Sequence, residues 1–513
     1  MSNPVSPDAY LRKILLAPVY DVAKNTDLNV MSKLSERLGH DIWLKREDQQ
    51  PVKSFKLRGA YNKLASLTND QRSLGVIAAS AGNHAQGLAL SAKRMQVKAT
   101  IVMPETTPDI KVSAVRTFGG EWVNVVLQGK NFDSASAEAQ RLSKVHGLTM
   151  VHPFDDPDVI AGQGTIGKEL FDAKRDIDTL FIAVGGGGLV AGIAVYMKQL
   201  NPNLRIVAVE AEDSACLKAA FDKGEQTTLD TVGIFADGVA VRTIGAETFR
   251  LCQQYVDEVI TVSSDEICAA IKDIFDDTRA IAEPAGALSV AGIKKWLSTN
   301  TPETKQQFAG ILCGSNINFH TLRYVSERCE LGEGREAIIA ATIPEVKGAF
   351  REFCDVLGNR TITEFNYRYT PETAANVFVG VRLRRGEEEL KEVLTDLTNE
   401  GIDWVNLTDN EVAKLHVRYM IGGRVNQLPN ERLYSFEFPQ LPGALASFLH
   451  TLGGLWNITL FHYRNHDAAD AMVLVGFDVP GEQVDDLENH LSTLGYNYSD
   501  ETENPAFHYF LKS

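Results

Sequence analysis

The chain is short of positive charge. Its 513 residues include 51 Lys and Arg against 67 Asp and Glu, a formal net charge of −16. Binding to nucleic acid or to an anionic membrane requires clustered cations that neutralise phosphates. The charge balance therefore argues against both of these partners and favours small molecules.

Cysteine is also scarce, and its spacing excludes two kinds of site. None of the six cysteines has CxxC spacing, so neither a zinc site nor a disulfide framework is indicated, and we predict no metal. A reducing cytoplasm suits such scattered thiols. The stretch MSNPVSPDAYLRK lacks a basic-then-apolar layout, so no signal peptide is predicted. The cysteines are Cys216, Cys252, Cys268, Cys313, Cys329 and Cys354.

One uncharged run is long enough to suggest a membrane span. Residues 180–197, LFIAVGGGGLVAGIAVYM, carry no charge over 18 residues. Four consecutive glycines interrupt both the apolar density and the helix propensity of this run. We therefore predict a strand, a turn and a helix here.

What the sequence does have is an alternation of β-rich and helical segments between about residues 30 and 320. Short apolar runs separated by helical stretches indicate an α/β fold with a parallel sheet. Such folds bind ligands at the carboxyl ends of their strands. The predicted strands are residues 75–80, 99–104, 179–184, 205–210 and 308–313.

After about residue 330 the chain repeats itself. Residues 361–368 match residues 457–464, and residues 377–381 match residues 473–477, both at an offset of 96. An earlier Pro and Gly-Ala block matches at an offset of 95, which implies a one-residue indel. We infer two copies of one βαββαβ module, which form either a structural pair or a regulatory unit with an effector pocket at its interface.

A glycine run follows the predicted strand 179–184. Its backbone N–H groups, at the start of a helix, favour a phosphate site. Gly186, Gly188 and Ala191 also satisfy GxGxxA, and Glu210 stands about 20 residues further on, where a dinucleotide fold places its ribose-binding acid. A nicotinamide enzyme is therefore a rival interpretation, and a tight turn without a ligand is a third.

Two further strand ends carry small polar residues. Ser80 is predicted to cap a helix that opens with Ala81-Gly82-Asn83-His84, whose free N–H groups would face an anion such as a carboxylate. The alternative is a simple cap with His84 on the surface. At the second end, Cys313 and the Gly-Ser-Asn that follow it are either small core residues or part of a ligand site.

The stretch QQPVKSFKLRGAYNK concentrates cations, which usually indicates a solvated face. Lysine performs covalent chemistry as a neutral amine, so a chemical lysine must be held and partly desolvated. Lys56 fits, because it starts a predicted helix directly after Phe55. Lys45 and Lys53 are predicted to be exposed, and Lys63 to belong to the solvated face; Arg58 is left open.

Together, KREDQQPVKSFKLRGAYN, SAGNHAQG, VGGGGLVAG, AEPAGA and CGSNIN resemble the fold type II family of pyridoxal-phosphate enzymes, and within it the biosynthetic threonine deaminases (threonine ammonia-lyases, or dehydratases). The resemblance covers about residues 10–513, and the repeated tail resembles paired ACT-like α+β modules. It implies a tryptophan synthase β-like catalytic domain over residues 1–330 and modules over residues 337–425 and 433–513.

The resemblance implies a role for each motif. Lys56 would hold pyridoxal 5'-phosphate as an internal Schiff base and then remove the α-proton of L-threonine, with L-serine as an alternative substrate. Phe55 would pack beside the cofactor, Asn83 would bind its ring hydroxyl, and Cys313, a serine in many relatives, would face its pyridine nitrogen. The phosphate would be held by Gly185, Gly186, Gly187, Gly188 and Leu189, and the substrate carboxylate by Ser80, Ala81, Gly82, Asn83 and His84.

For the tail, the family implies feedback inhibition by isoleucine, relief by valine and a homotetramer. The repeat alignment makes Phe365, Tyr367, Phe461 and Tyr463 the regulatory candidates. Serine racemase shares SFKLRGA, but it places a second metal-binding acid where this chain has Cys216, and it lacks the tail. Catabolic deaminases lack the two modules, and an amino-acid sensor would use the tail alone.

Overall fold

The computed structural model describes residues 4–344, 353, 356–358, 360, 362–367, 374–419, 430–439, 456–464 and 470–511. Along residues 362–367 and 457–464 it describes the backbone only. The chain divides into two compact units, Met1–Val325 and Ser326–Ser513. Within the described residues, no helix is both long enough and apolar enough to span a membrane, and the uncharged run of residues 180–197 divides into a strand, a turn and a helix.

The first unit contains two sheets. Its strands are β1 (Leu28–Val30), β2 (Asp41–Arg46), β3 (Val76–Ala79), β4 (Ala99–Met103), β5 (Val123–Leu127), β6 (Thr149–Met150), β7 (Thr179–Ala183), β8 (Arg205–Ala211), β9 (Glu258–Val262) and β10 (Gln307–Leu312). The larger sheet has the order β1-β2-β10-β7-β8-β9 and is parallel except for the edge strand β1. The smaller has the order β5-β4-β3-β6 and is entirely parallel.

Helices cover the faces of these sheets, which explains why the strands are almost continuously apolar. Every residue of β3 and of β7 is buried, as expected for parallel strands that are covered on both sides. The helices are α1 (Pro7–Leu15), α2 (Ser32–Leu38), α3 (Lys56–Ser66), α4 (Asn69–Leu74), α5 (Asn83–Met95), α6 (Asp109–Gly119), α7 (Phe132–His146), α8 (Pro157–Ala173), α9 (Gly188–Leu200), α10 (Cys216–Lys223), α11 (Ala246–Tyr255), α12 (Ser264–Thr278) and α13 (Pro284–Thr299).

The second unit contains two four-stranded antiparallel sheets of identical topology, β12-β13-β11-β14 and β16-β17-β15-β18. The first helix of each predicted βαββαβ module falls largely or wholly outside the described residues. The described elements are α14 (Thr321–Gly332), β11 (Glu336–Pro344), β12 (Ile362–Tyr367), β13 (Ala374–Arg382), α15 (Glu387–Asn399), β14 (Asp403–Asn406), α16 (Glu411–Leu415), β15 (Glu431–Pro439), β16 (Asn457–Arg464), β17 (Asp470–Asp478), α17 (Val484–Thr493), β18 (Tyr498–Asp500) and α18 (Pro505–Phe510).

The strand register repeats as the sequence does. Phe365 pairs with Val379 on β13, and at an offset of 96 Phe461 pairs with Val475 on β17. Both pairings also contain the same irregularity, between residues 362 and 364 and between residues 458 and 460. Because a one-residue slip would turn every side chain to the other face, this agreement confirms that the modules are copies of one fold.

The two modules share a core. Along β11, Ile339 packs into the first module's own core, whereas its neighbours Ile338 and Ala340 join a cluster that includes Leu433 and Leu474 of the second module. Alternate residues of a strand point to opposite faces, so each sheet is covered by its own helix on one side and by the other module on the other. The described part of this interface is therefore packed apolar core.

Candidate active site

Lys56 is the first residue of α3, and the backbone before it is tied to the end of β10. The N–H of Phe55 donates to the carbonyl of Cys313 at 3.2 Å, and the N–H of Ser315 donates to the carbonyl of Lys53 at 2.9 Å. These bonds fix the start of α3 at the carboxyl end of a parallel strand, where α/β folds place their ligands.

The Lys56 amine is held in a partly desolvated position. Its Nζ donates to the carbonyl of Pro153 at 3.1 Å and lies 5.4 Å from the centroid of the Phe55 ring. Burial lowers the pKa of Lys56 to about 8, although Cys313 and Glu283 favour its charged form. Near neutral pH a useful fraction of this amine is therefore unprotonated, as nucleophilic chemistry requires.

The other cations near Lys56 differ from the prediction in two cases. Lys53 is exposed as predicted, but Lys63 does not lie on a solvated face: 16% of its side chain is accessible, and it forms ion pairs with Asp156 and Asp158. The prediction that Lys45 is exposed is wrong: it is 1% exposed, and its Nζ lies 2.6 Å from a carboxylate oxygen of Glu169. A charge can be buried at this position because its ionic partner comes from a helix more than 100 residues away in sequence.

The helix after β3 begins later than predicted. Helix α5 starts at Asn83 with Gly82 at the N-cap position, so the prediction that Ser80 caps it is wrong. Gly82 has a φ of −123° and a ψ of −144°, and the Ser80 hydroxyl instead accepts a bond from the N–H of Gly82 at 3.3 Å. Ser80, Ala81 and Gly82 thus form a loop ahead of the positive end of the α5 dipole, a position that suits a carboxylate.

His84 is buried rather than on the surface. It is 2% exposed, its Nε2 lies 3.1 Å from the carbonyl of Val151, and burial lowers its pKa to about 3. A neutral imidazole facing a carbonyl must carry its proton on Nε2, which leaves Nδ1 as an acceptor. His84 therefore adds no positive charge to this loop.

The glycine run has the geometry of an anion cradle. A Cβ on Gly186 would lie 2.2 Å from ring carbons of Phe154, and one on Gly185 would lie 2.9 Å from the Cα of Val239. Gly187 has a φ of 87°, in the left-handed region, and Gly188 begins α9. Only glycine lets the backbone lie this close to its neighbours while its N–H groups open onto a helix N-terminus.

Glu210 is occupied by structural hydrogen bonds. Its two carboxylate oxygens each accept one bond at 2.8 Å, from the N–H groups of Leu217 and Lys218. Glu210 is fully buried and acts as an acceptor for the first turn of α10. It is therefore unavailable for the ribose-binding role that a nicotinamide enzyme would need.

Cys313 directly follows β10 and is a neutral thiol. Burial raises the pKa of its Sγ, which donates to the carbonyl of Ala285 at 3.3 Å. A neutral group here cannot form an ion pair with a protonated ring nitrogen. That Cys313 faces the nitrogen of a pyridine ring stays a prediction.

Two further segments lie at the site, although the sequence analysis gave them no role. His152 accepts from the N–H of Asp155 at 2.8 Å, and Asp155 in turn accepts from the first N–H groups of α11, so Pro153 and Phe154 are held between Lys56 and the glycine run. Glu283, of AEPAGA, lies 2.6 Å from Asn83. The first segment could have been found from the motif HPFDDP, in which Asp156 stands directly before Pro157 and caps α8.

Comparison with family models supports the two-part organisation. Residues 19–314 match the model of pyridoxal-phosphate dependent enzymes, and residues 327–417 and 422–511 match the C-terminal regulatory domain of threonine dehydratase. The second match is double, as the internal repeat requires.

Comparisons with individual proteins agree with the family models. The chain is 58% identical over 502 residues to the biosynthetic L-threonine dehydratase of Escherichia coli, which covers 98% of this chain and 97% of that protein. The processed threonine deaminase isoform 2 of Solanum lycopersicum superposes with a TM-score of 0.62 at 46% identity, over 63% of this chain and 88% of that one. Maize serine racemase superposes with a TM-score of 0.58 at 28% identity, over 62% and 95%.

Proposed function

The chain belongs to the threonine dehydratases, pyridoxal-phosphate-dependent enzymes with a C-terminal regulatory domain, and on that premise we propose that Lys56 is its catalytic residue. The enzyme converts L-threonine to 2-oxobutanoate and ammonia, the first committed step of isoleucine biosynthesis. The observation that carries this function is the similarity to biosynthetic threonine dehydratases along both parts of the chain.

The residues fit pyridoxal phosphate as a set. The glycine run from Gly185 to Gly188, with Leu189, offers N–H groups and a helix N-terminus to the phosphate, and Lys56 offers a desolvated amine to the aldehyde. Phe55 would pack beside the ring. Asn83 would bind the ring hydroxyl, and Cys313 would face the ring nitrogen.

Bound pyridoxal phosphate supplies an electron sink for the α-carbon of the substrate. The chain supplies the proton acceptor, which is the Nζ of Lys56. With a pKa near 8, this nitrogen can take the α-proton of threonine and release it again within the working pH range. The β-hydroxyl leaves with a proton as water, so that threonine loses its α-proton and its hydroxyl as one water overall. The released enamine tautomerises to an imine, which takes up one water and gives 2-oxobutanoate and ammonia.

Substrate binding uses the loop before α5. The substrate carboxylate lies against Ser80 to Gly82 and the first N–H groups of the helix, Asn83 and His84. The buried, neutral His84 keeps the charge of this loop unchanged across the physiological pH range, since its pKa of about 3 lies far below it. L-serine, shorter by one methyl group, is the alternative substrate of the same site.

The second unit regulates the first. Isoleucine is the inhibitor and valine the opposing effector, and both act through the paired modules. The side chains of the four regulatory candidates, Phe365, Tyr367, Phe461 and Tyr463, lie outside the described part of the structure; their backbones occupy matching positions on β12 and β16. We further propose a cytoplasmic homotetramer, with domain boundaries at residues 1–330, 337–425 and 433–513.

One assay tests the proposed function and its regulation together. Purified protein should form 2-oxobutanoate from L-threonine, lose this activity when isoleucine is added, and regain part of it with valine. The activity should not depend on added nicotinamide cofactors. A protein that racemises serine at a rate comparable to or above its threonine turnover would instead match the serine racemase alternative.

The pKa of Lys56 predicts how the cofactor-free protein takes up its cofactor. Only the unprotonated amine attacks an aldehyde, so the rate of reconstitution with pyridoxal phosphate should rise with pH and level off above about pH 8. The growth of visible absorbance after mixing at pH 6 to 9.5 measures this rate. A rate that is flat over this range, or that falls, would contradict a lysine with this pKa.

A further inference from the structure

The amide of Asn83 is fixed by two partners. Its Nδ2 donates to the carboxylate of Glu283 at 2.6 Å, and its Oδ1 accepts from Nδ2 of Asn316 at 2.7 Å. The Asn316 amide is itself oriented, because the same Nδ2 donates to the carbonyl of Val52 at 2.8 Å. The amide of Asn83 therefore has one orientation, with a single N–H left for a ligand.

Glu283 is built into this arrangement. Its Oε1 accepts from Asn83, its Oε2 accepts from the N–H of Asn316 at 2.9 Å, and its own N–H donates to the carbonyl of Gly314 at 3.2 Å. A Cβ on Gly314 would lie 2.3 Å from Oε1, so the carboxylate occupies space that only glycine leaves open. The contact between Asn83 and Glu283 joins segments 200 residues apart in sequence.

The charge environment of Glu283 is also specific. Glu283 is 5% exposed, and the groups that act on it include Asn83 and Asn316, Asp237 on the loop after α10, and Lys111 on α6, which is paired with Asp237. Glu283 and Lys56 also attract each other when both are charged. Burial is the main reason that its pKa is raised to about 7. A carboxyl is kept here despite the cost of burying it.

We propose that Glu283 is a positioning residue, which turns the Asn83 amide so that its remaining N–H points to the ring hydroxyl of pyridoxal phosphate. This rests on the proposed role of Asn83. Glu283 acts through Asn83 and does not itself take part in the reaction. This positioning role explains the AEPAGA motif, which has no role in the mechanism above.

The test is Glu283→Gln, because an amide can accept only one of the two bonds that the carboxylate accepts. When its oxygen faces the N–H of Asn316, its NH2 group faces Nδ2 of Asn83, and the Asn83 amide must turn over. A carbonyl oxygen then replaces the N–H at the ring hydroxyl. Loss of one hydrogen bond to a charged or polarised group corresponds to about tenfold weaker binding of pyridoxal phosphate, and the visible absorption maximum should shift.

Two further variants separate positioning from stability. Glu210→Gln is the matched control, since Glu210 is also buried, also has a pKa raised to about 7 and also accepts one N–H bond on each carboxylate oxygen, in its case both from backbone groups. The double variant Glu283→Gln with Asn83→Asp satisfies every bond of the cluster again, because the introduced carboxylate accepts from both neighbours. It offers no N–H to the ring hydroxyl.

We expect the double variant to regain the Tm of the wild type but not its affinity for pyridoxal phosphate or its absorption maximum. The proposal is overturned if Glu283→Gln changes affinity and spectrum no more than Glu210→Gln does, or if the double variant recovers both together with Tm. Should Glu283→Gln not fold, Asn316→Ala removes the other partner of Asn83 and leaves its bond to Glu283 in place. Affinity and absorption maximum close to those of the wild type are then expected, and a tenfold loss of affinity would overturn the proposal, because it would show that Asn316 and not Glu283 orients the amide. These binding measurements need no threonine, so failure of the proposed activity would remain distinguishable.

Discussion

Replacing Lys56 with alanine is expected to abolish turnover of L-threonine. The amine is proposed both to hold the cofactor and to accept the α-proton, and a positioned base alone contributes about 10² to 10⁴ in rate. We therefore expect kcat to fall by about ten-thousandfold or more, since both roles are lost together. Steady-state formation of 2-oxobutanoate measures the loss, and the visible absorbance of the lysine-bound cofactor should disappear with it.

Lys53→Ala is the matched control. It removes a lysine three residues away in the same motif, and Lys53 is exposed and contributes its backbone carbonyl rather than its amine. Its activity should be close to that of the wild type. Lys56→Arg tests the chemistry further, because a guanidinium keeps the positive charge but cannot become a neutral nucleophile. If Lys56→Ala kept more than a few per cent of wild-type turnover, the assignment of Lys56 would be wrong.

The contrast between Lys56 and Lys45 shows what a local pattern can predict. Lys56 lies beside an aromatic residue at a helix start, so its placement follows from neighbours within a few positions. Lys45 is buried because of Glu169, which lies on α8 and is joined to β2 only by the tertiary fold. No periodicity of the sequence reports such a partner, and a charged residue without a visible partner is expected to be exposed.

The prediction that Ser80 caps α5 was wrong for a different reason. Ser is a preferred N-cap residue, but the cap position is decided by backbone conformation, and three residues separate the end of β3 from α5. Similarly, the contact of Asn83 with Glu283 spans most of the catalytic region. The repeat in the tail, by contrast, could be predicted from the sequence. Because the two copies have matching sequences, they also have matching strand registers, including the irregularity after residues 362 and 458.

The second large effect is expected from Arg58, which the sequence left open. Arg58 is fully buried, and its guanidinium binds Glu47 through Nε and Nη2, both at 2.8 Å, and Glu169 through Nη1 at 2.6 Å. Lys45 provides the second positive charge, so two cations and two carboxylates balance. This cluster connects the start of α3, two residues after Lys56, to β2 and α8.

Arg58→Met should lower the free energy of unfolding by about 3–5 kcal/mol, the usual result of removing one partner from a buried ionic group. The removed charge leaves two buried carboxylates opposite one lysine, and the penalty comes from that imbalance more than from the lost bonds. Denaturant unfolding of the full chain, followed by a probe in the first unit, measures the change. Arg58→Lys should recover only part of the loss, since an ammonium cannot bind both carboxylates in the fork geometry of a guanidinium.

Arg141→Met is the matched control. Arg141 also binds a carboxylate through two nitrogens, Nε and Nη2 to Glu138 at 2.8 Å each, but on the exposed surface of α7. Solvent already screens that pair, so the same substitution there should change stability little. If Arg58→Met and Arg141→Met lowered the free energy of unfolding equally, the loss would come from replacing Arg by Met and not from the buried cluster.

The pH dependence of unfolding tests independently whether Arg58 lowers the pKa of Glu47. Burial alone would raise the pKa of Glu47, but Arg58, with Thr26 and Lys45, outweighs burial and holds it below the ordinary value. The stability that Glu47 contributes is therefore present above its unfolded-state pKa and is lost as the pH falls through the folded-state pKa. Without Arg58 only burial and weaker partners remain, the pKa rises, and the variant should begin to unfold at a higher pH than the wild type. An unchanged acid-unfolding midpoint would mean that Arg58 does not control the charge of Glu47.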